Sequence, residues 1–110
     1  MKLILAIMSN DDSPAVSSAL TKENYQVTRL ATTGGFLRAG NTTLLLGVED
    51  EKLSTALGHI EKICKSRRQF VNSNMTSLDP AMGMGLPSNI EIMVGGATVF
   101  VLDVQQFQKY

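Results

Sequence analysis

Tryptophan is missing from this 110-residue sequence, and cysteine and histidine occur only once each. A single cysteine excludes an internal disulfide framework and is typical of a protein that folds in a reducing cytosol. One histidine and one cysteine cannot supply the three or four ligands of a zinc site, and they offer little for nucleophilic catalysis. We therefore predict a cytoplasmic protein with no metal, no cofactor and no enzymatic activity.

The chain also has no formal net charge, because Lys and Arg together number 10 and Asp and Glu together number 10. A general nucleic-acid binder would carry a basic excess. The apolar run 3–8 is too short to span a membrane, and Asp11 and Asp12 follow it where a signal peptide would have small residues. We predict one domain over residues 1–110, with no nucleic-acid partner and no membrane partner.

Apolar periodicity predicts alternating strands and helices. The first helix is expected to begin with Ser13 as its capping residue before Pro14, and to end near Asn24. The second helix carries apolar residues at i, i+3 and i+4 spacing, namely Leu53, Ala56, Leu57, Ile60, Ile63 and Cys64. Strands are predicted at 3–8, 26–31, 41–48 and 69–72, and at 90–104 either as two strands or as one strand bent at Gly95-Gly96.

This order is β-α-β-β-α-β with extra C-terminal β structure, the ferredoxin-like pattern of an α+β fold. Two helices can cover only one face of such a sheet, whereas the segments 44–46 and 99–102 present apolar side chains to both faces. We expect the uncovered face to pack against another copy of the chain. Alternatively, part of the long segment 73–88, which has no helical or strand period, covers that face.

The single histidine and the single cysteine are both expected to have structural rather than catalytic roles. His59 lies on the flank of the second helix, where a histidine usually faces solvent. Cys64 belongs to the apolar stripe of that helix, so a buried structural thiol is expected there rather than a nucleophile.

The segment 32–41, between the second and third predicted strands, is longer than a tight hairpin needs and contains three glycines. Glycines let the backbone approach a ligand, and successive N–H groups can form an anion-binding concavity. Phe36 could stack on a base, and Arg38 could contact a phosphate. The alternative is a flexible hairpin whose Phe36 packs into the core.

Residues beside this segment favour the ligand hypothesis. Asn24, Gln26 and Thr28 share strand parity, so they could form one polar wall that reads the edge of a base. A solvated edge strand would give the same pattern. Gly47 and the pair Gly95-Gly96 lie in strand contexts, where a glycine indicates either close approach of a ligand or a bulge.

Two uninterrupted segments, 30–43 (LATTGGFLRAGNTT) and 94–102 (VGGATVFVL), resemble the PII-like cyclic di-AMP receptor family. The order of predicted elements agrees with that family along the whole chain. The resemblance implies a homotrimer of ferredoxin-like subunits with one cyclic di-AMP molecule in each cleft between neighbours. It also implies signal transduction without catalysis, in which the ligand orders the loops 32–41 and 73–88 so that a downstream protein of unknown identity can bind.

On this resemblance, the candidate ligand-binding residues are Asn24, Gln26, Thr28, Gly35, Phe36, Leu37, Asn41, Gly47, Gly96 and Phe100. The family often has an arginine where this chain has Gln26, so a charge-assisted contact to the ligand would be missing. Three other functions stay open. They are a PII-like protein that binds ATP or ADP, a ligand-free structural trimer that binds a protein, and an RRM-like RNA binder, which would need a basic surplus.

Overall fold

The computed structural model describes residues 1–30, 40–72 and 89–110. The elements in these ranges are β1 (Lys2–Ser9), α1 (Ser13–Lys22), β2 (Thr28–Leu30), β3 (Asn41–Val48), α2 (Leu53–Cys64), β4 (Arg67–Asn72), β5 (Asn89–Val94) and β6 (Ala97–Asp103). A short 3-10 turn, Asp50–Lys52, leads into α2. The main sheet has the strand order β2-β3-β1-β6, and β4 pairs with β5 in a separate two-stranded sheet. All of these pairings are antiparallel, so the fold is a small α+β fold.

The core lies between the main sheet and the two helices. Successive side chains of a strand point to opposite faces, and the even-numbered residues of β1 and β3 are the ones that face the helices. The buried apolar residues are Ile4, Ala6, Met8, Val16, Leu20, Tyr25, Leu44, Leu46, Val48, Ala56, Ile60 and Cys64. Truncating a fully buried member such as Leu20 to alanine would cost about 2–5 kcal/mol of folding free energy.

The structure confirms the predicted strand Asn41–Val48, and the helix Leu53–Cys64 contains the whole predicted apolar stripe. It corrects the boundaries of the first helix. Ser13 is the first helical residue and Asp12 occupies the capping position, with no side-chain hydrogen bond to the helix. The helix ends at Lys22 rather than near Asn24, because Asn24 has a left-handed φ of 68°, a conformation that asparagine tolerates better than most residues.

The sequence pattern predicted additional β structure at the C-terminal end, and this prediction is wrong. The additional β structure is the separate β4–β5 sheet, which precedes β6 in the chain, while β6 completes the main sheet beside β1. Segment 90–104 therefore forms two strands in different sheets. Gly95 and Gly96, with φ of +86° and +90°, redirect the chain between them, and glycine adopts such angles without a steric penalty.

One face of the main sheet is covered by α1 and α2, as expected. We call the other surface the open face. By strand alternation its residues are Leu3, Leu5, Ile7, Ser9, Thr28, Leu30, Asn41, Thr43, Leu45, Gly47, Thr98, Phe100 and Leu102. Phe100 is 53% exposed and Leu102 is 47% exposed in the single chain. The segment 73–88, proposed above as an alternative cover, lies outside the described residues.

Candidate functional site

A row of four side chains crosses the open face and joins two of the candidate ligand-binding residues. Thr28 of β2 lies opposite Leu45 of β3, Leu45 lies opposite Leu5 of β1, and Leu5 lies opposite Phe100 of β6. Residues directly opposite in an antiparallel pair share a face of the sheet. The hydroxyl of Thr28 and the ring of Phe100 therefore stand at the two edges of one face, with two leucines between them.

A groove of about 330 Å³ lies at the β2 end of this face, and we call it the Gln26 groove. Three candidate residues line it together: Gln26, Thr28 and Gly47. Its other described lining residues are Met1, Leu3, Leu45, Leu46, Val104 and Phe107. Because Gly47 has no side chain, nothing projects from that position into the groove. The groove thus combines an apolar floor with an amide and a hydroxyl, which can bind a flat ligand with a polar edge.

A second groove, of about 420 Å³, lies where β6 begins, and we call it the Gly96 groove. It brings together the candidates Asn41 and Gly96, with Ser9 and Thr98 as further polar neighbours. The backbone that leads into it is fixed, because Asn10 N–H donates to the carbonyl of Gly40 at 2.7 Å. The Thr42 hydroxyl also donates to the side-chain carbonyl of Asn10. Five of the candidate residues therefore form two groups in separate grooves of one subunit, while Phe100 lines neither groove.

Asn24 does not belong to the polar strand row that its parity predicted. It lies in the turn after α1, exposed and left-handed, and only Thr28 of the expected row is in a strand. The turn is fixed by its neighbour Tyr25, whose hydroxyl donates to the carbonyl of Lys52 at 2.9 Å. Asn24 does not line the Gln26 groove. Its assignment as a ligand contact stays a prediction.

Gly35, Phe36 and Leu37 lie outside the described residues, as does the segment 73–88. The roles predicted for these three residues and for the two loops stay predictions from the sequence. Gly40, the residue before β3, has a φ of +101°, so the chain turns sharply where it enters the main sheet.

The single cysteine is part of the core. Cys64 is buried, as the sequence predicted. Its Sγ lies 3.9 Å from Sδ of Met8. Burial raises the pKa of the Cys64 thiol above its ordinary value, and the negative charge of Asp12 raises it further, while Arg67 acts in the opposite sense. Such a thiol stays protonated at neutral pH and is a poor nucleophile.

The side chain of His59 is 28% exposed, so it faces solvent less than the sequence pattern predicted. Its Nε2 lies 2.6 Å from Oε2 of Glu23, and this contact joins α2 to the turn after α1.

Across residues 1–30, 40–72 and 89–110, no three His, Cys, Asp or Glu side chains are grouped so that they could hold a metal ion. In the same ranges, neither helix is long and apolar enough to cross a membrane.

Comparison with known proteins assigns the chain to a family. The whole chain, residues 1–110, matches the family model described as "Cyclic-di-AMP receptor". The chain belongs to the cyclic-di-AMP receptor family. The family is one of receptors, so membership supports the binding of cyclic di-AMP as a ligand in signal transduction.

A solved structure shares the fold. It is described as "The crystal structure of a functionally unknown protein from Pediococcus pentosaceus ATCC 25745". The two chains superpose with a TM-score of 0.75 at 37% sequence identity, over 99% of this chain and 96% of the other. The likeness therefore extends over nearly the whole of both chains.

Sequence reasoning did not identify several residues of the Gln26 groove. The sequence pattern marks Leu3 and Leu45 only as strand residues and assigns no role to Phe107. Phe107 follows the last strand in a segment without apolar period, so no pattern marks it as part of a site. The available signal was its type, because a large aromatic residue in an exposed C-terminal segment requires an explanation.

Proposed function

We propose that this protein is a homotrimeric, cytoplasmic receptor that binds cyclic di-AMP in the clefts between neighbouring subunits. In this proposal, the ligand orders the loops 32–41 and 73–88, and the ordered loops control a downstream protein. The subunit has the PII-like, ferredoxin-like fold, in agreement with the position of β3 between β1 and β2 and of β6 on the other side of β1.

The observation that carries the proposal is the shared orientation of four candidate residues. Thr28, Asn41, Gly47 and Phe100 all belong to the face of the main sheet that the helices leave open. That face also exposes large apolar side chains, including Leu102. An apolar surface of this kind is typical of a surface that packs against another protein chain.

The division of the candidates into two grooves supports a site shared between subunits. Gln26, Thr28 and Gly47 line one groove, and Asn41 and Gly96 line the other. In a cyclic trimer, each subunit presents two different surfaces to its two neighbours. One ligand could then contact the Gln26 groove of one subunit and the Gly96 groove of the next, and cyclic di-AMP has two adenine bases to occupy them.

A pair of variants on β6 tests this proposal. Phe100 lies on the open face and Val101, its neighbour, lies on the helix-side face, while the two are similarly exposed at 53% and 43%. Phe100→Ala is expected to weaken cyclic di-AMP binding by about 1–3 kcal/mol, the usual contribution of a base stacked on an aromatic ring. Val101→Ala is the matched control and should bind like the unaltered protein.

Calorimetric titration measures the affinity, and light scattering measures the mass of the assembly. Equal affinities of the two variants would contradict a ligand site on the open face. Parallel titrations with ATP, ADP and cyclic di-GMP distinguish a cyclic di-AMP receptor from a PII-like protein for another adenine nucleotide. Absence of binding by all four nucleotides would favour the ligand-free structural trimer.

A further inference from the structure

The segment after β6, residues 104–110, brings an aromatic side chain to the Gln26 groove. We call this segment the C-terminal tail. Its start is attached to β1, because Val104 N–H donates to the carbonyl of Met1 at 3.2 Å. The ammonium group of Lys2 also pairs with the carboxylate of Asp103. From this attachment the tail places Phe107 among the residues that line the groove.

Phe107 has no role in the core of the subunit. Its side chain is 64% exposed, although a phenyl ring is among the side chains that gain most from leaving water. The same groove is lined by the apolar side chains of Leu3 and Leu45 and the polar side chains of Gln26 and Thr28. A planar group that enters this groove would have an apolar floor, hydrogen-bonding groups at its edge and an aromatic ring beside it.

We propose that Phe107 stacks on a purine base of the bound nucleotide and thereby acts as an affinity-determining residue of the site. This inference rests on the proposed function, because it names a further residue of the same ligand site. A purine fits the surroundings because its π face stacks on an aromatic ring. Its ring nitrogens and exocyclic group can pair with an amide or a hydroxyl.

The tail itself provides a control. Tyr110 is a second aromatic residue of the tail, fully exposed, and it does not line the groove. Phe107→Ala is expected to weaken cyclic di-AMP binding about tenfold, whereas Tyr110→Ala should leave the affinity unchanged. Phe107→Tyr keeps the aromatic plane and should retain most of the affinity. Phe107→Leu keeps the apolar bulk without the plane and should lose at least about fivefold.

The measurement is calorimetric titration of the full chain, with the mass of each variant checked by light scattering. Equal affinities of Phe107→Ala and the unaltered protein would overturn the proposal. So would full affinity of Phe107→Leu, which would show that apolar cover is sufficient. A change in subunit number confined to Phe107→Ala would also overturn it, because Phe107 would then be an assembly residue.

Failure of the proposed function gives a different result. If the unaltered protein binds ATP or ADP but no cyclic di-AMP, the proposed function is wrong, and the same four variants test Phe107 with that adenine nucleotide. If the unaltered protein binds none of these nucleotides, both proposals are wrong.

Discussion

Arg67, the first residue of β4, is paired with Asp12 at the start of α1, with Nη2 3.0 Å from Oδ1 of the carboxylate. The side chain of Asp12 is only 7% exposed. The same guanidinium reaches the carbonyl oxygen of Lys65 at 3.2 Å. These contacts hold the base of the β4–β5 sheet against the core, and both sheets meet there at Gly95 and Gly96.

Replacement of Arg67 tests the contribution of this pair. Arg67→Met is expected to lower the free energy of unfolding by about 1–2 kcal/mol, because it leaves a nearly buried carboxylate without its cation, while the half-exposed arginine limits the loss. Arg68→Met is the matched control, since Arg68 pairs with Glu91 at 3.1 Å in a largely exposed position. It should change stability by less than about 0.5 kcal/mol. Urea denaturation measures both, and equal losses would show that the Asp12 pair has no special role.

Gly95 and Gly96 differ in the space around them. A Cβ atom at Gly95 would lie 2.5 Å from Nη1 of Arg67 and 3.0 Å from the carbonyl oxygens of Cys64 and Lys65. A Cβ at Gly96 would meet nothing within 4 Å. Both residues have a positive φ, so alanine at either position costs about 1–2 kcal/mol in backbone strain.

Gly95→Ala is therefore expected to destabilise the protein by about 1–3 kcal/mol more than Gly96→Ala, because only the former also forces packed atoms apart. Thermal and urea denaturation of the two variants give the comparison. The expectation fails if both variants lose the same stability, which would mean that the contacts around Gly95 relax without cost.

The buried thiol of Cys64 makes stability dependent on alkaline pH. Burial raises the pKa of Cys64 in the folded protein, so folding favours the neutral thiol. This contribution is complete below the ordinary thiol pKa of about 8.5 and is lost as the pH rises through the higher pKa of the folded state. From about pH 8.5 upward, the unaltered protein should lose stability more steeply than Cys64→Ala. Urea denaturation across this range is the test, and parallel pH profiles would show that the thiol does not contribute.

On the resemblance described in the sequence analysis, Gln26 stands where an arginine is expected. Charge-assisted hydrogen bonds are about twice as strong as neutral ones, so Gln26→Arg is expected to tighten cyclic di-AMP binding by about 1 kcal/mol, or about fivefold. The gain should shrink at high salt, because an exposed charge is screened. Gln105→Arg adds the same charge at an exposed residue outside the groove and should have little effect. Unchanged or weaker binding by Gln26→Arg would mean that residue 26 does not face the phosphates.

The elements with a clear apolar period were predictable from the sequence. The strand Asn41–Val48 has the predicted bounds and the helix Leu53–Cys64 contains the predicted apolar stripe, because the local period of apolar residues sets which of their side chains are buried. Asn24 could not be placed in this way, since its left-handed backbone ends α1 where parity alone suggested a strand. A single residue in that conformation changes the direction of the chain. The alternation of side chains along a strand then no longer predicts which face a residue occupies.

The partners of β5 and β6 depend on contacts between residues far apart in sequence. The pairing of β5 with β4, rather than with the main sheet, follows the turn at Gly95 and Gly96 and the anchoring of Arg67 on Asp12. The Gln26 groove has the same origin, because the tail brings Phe107 to residues more than sixty positions earlier in the chain. Family resemblance named the candidate residues, but only the fold shows that five of them line two separate grooves.

Titration of the purified protein with cyclic di-AMP, followed by calorimetry, tests the central claim most directly. The account predicts saturable binding of one ligand per subunit, by an assembly whose mass in light scattering is about three chains of 11.9 kDa. ATP, ADP and cyclic di-GMP should bind more weakly than cyclic di-AMP. A protein that binds no cyclic di-AMP, or that binds it as a monomer, would contradict the proposed receptor with ligand clefts between subunits.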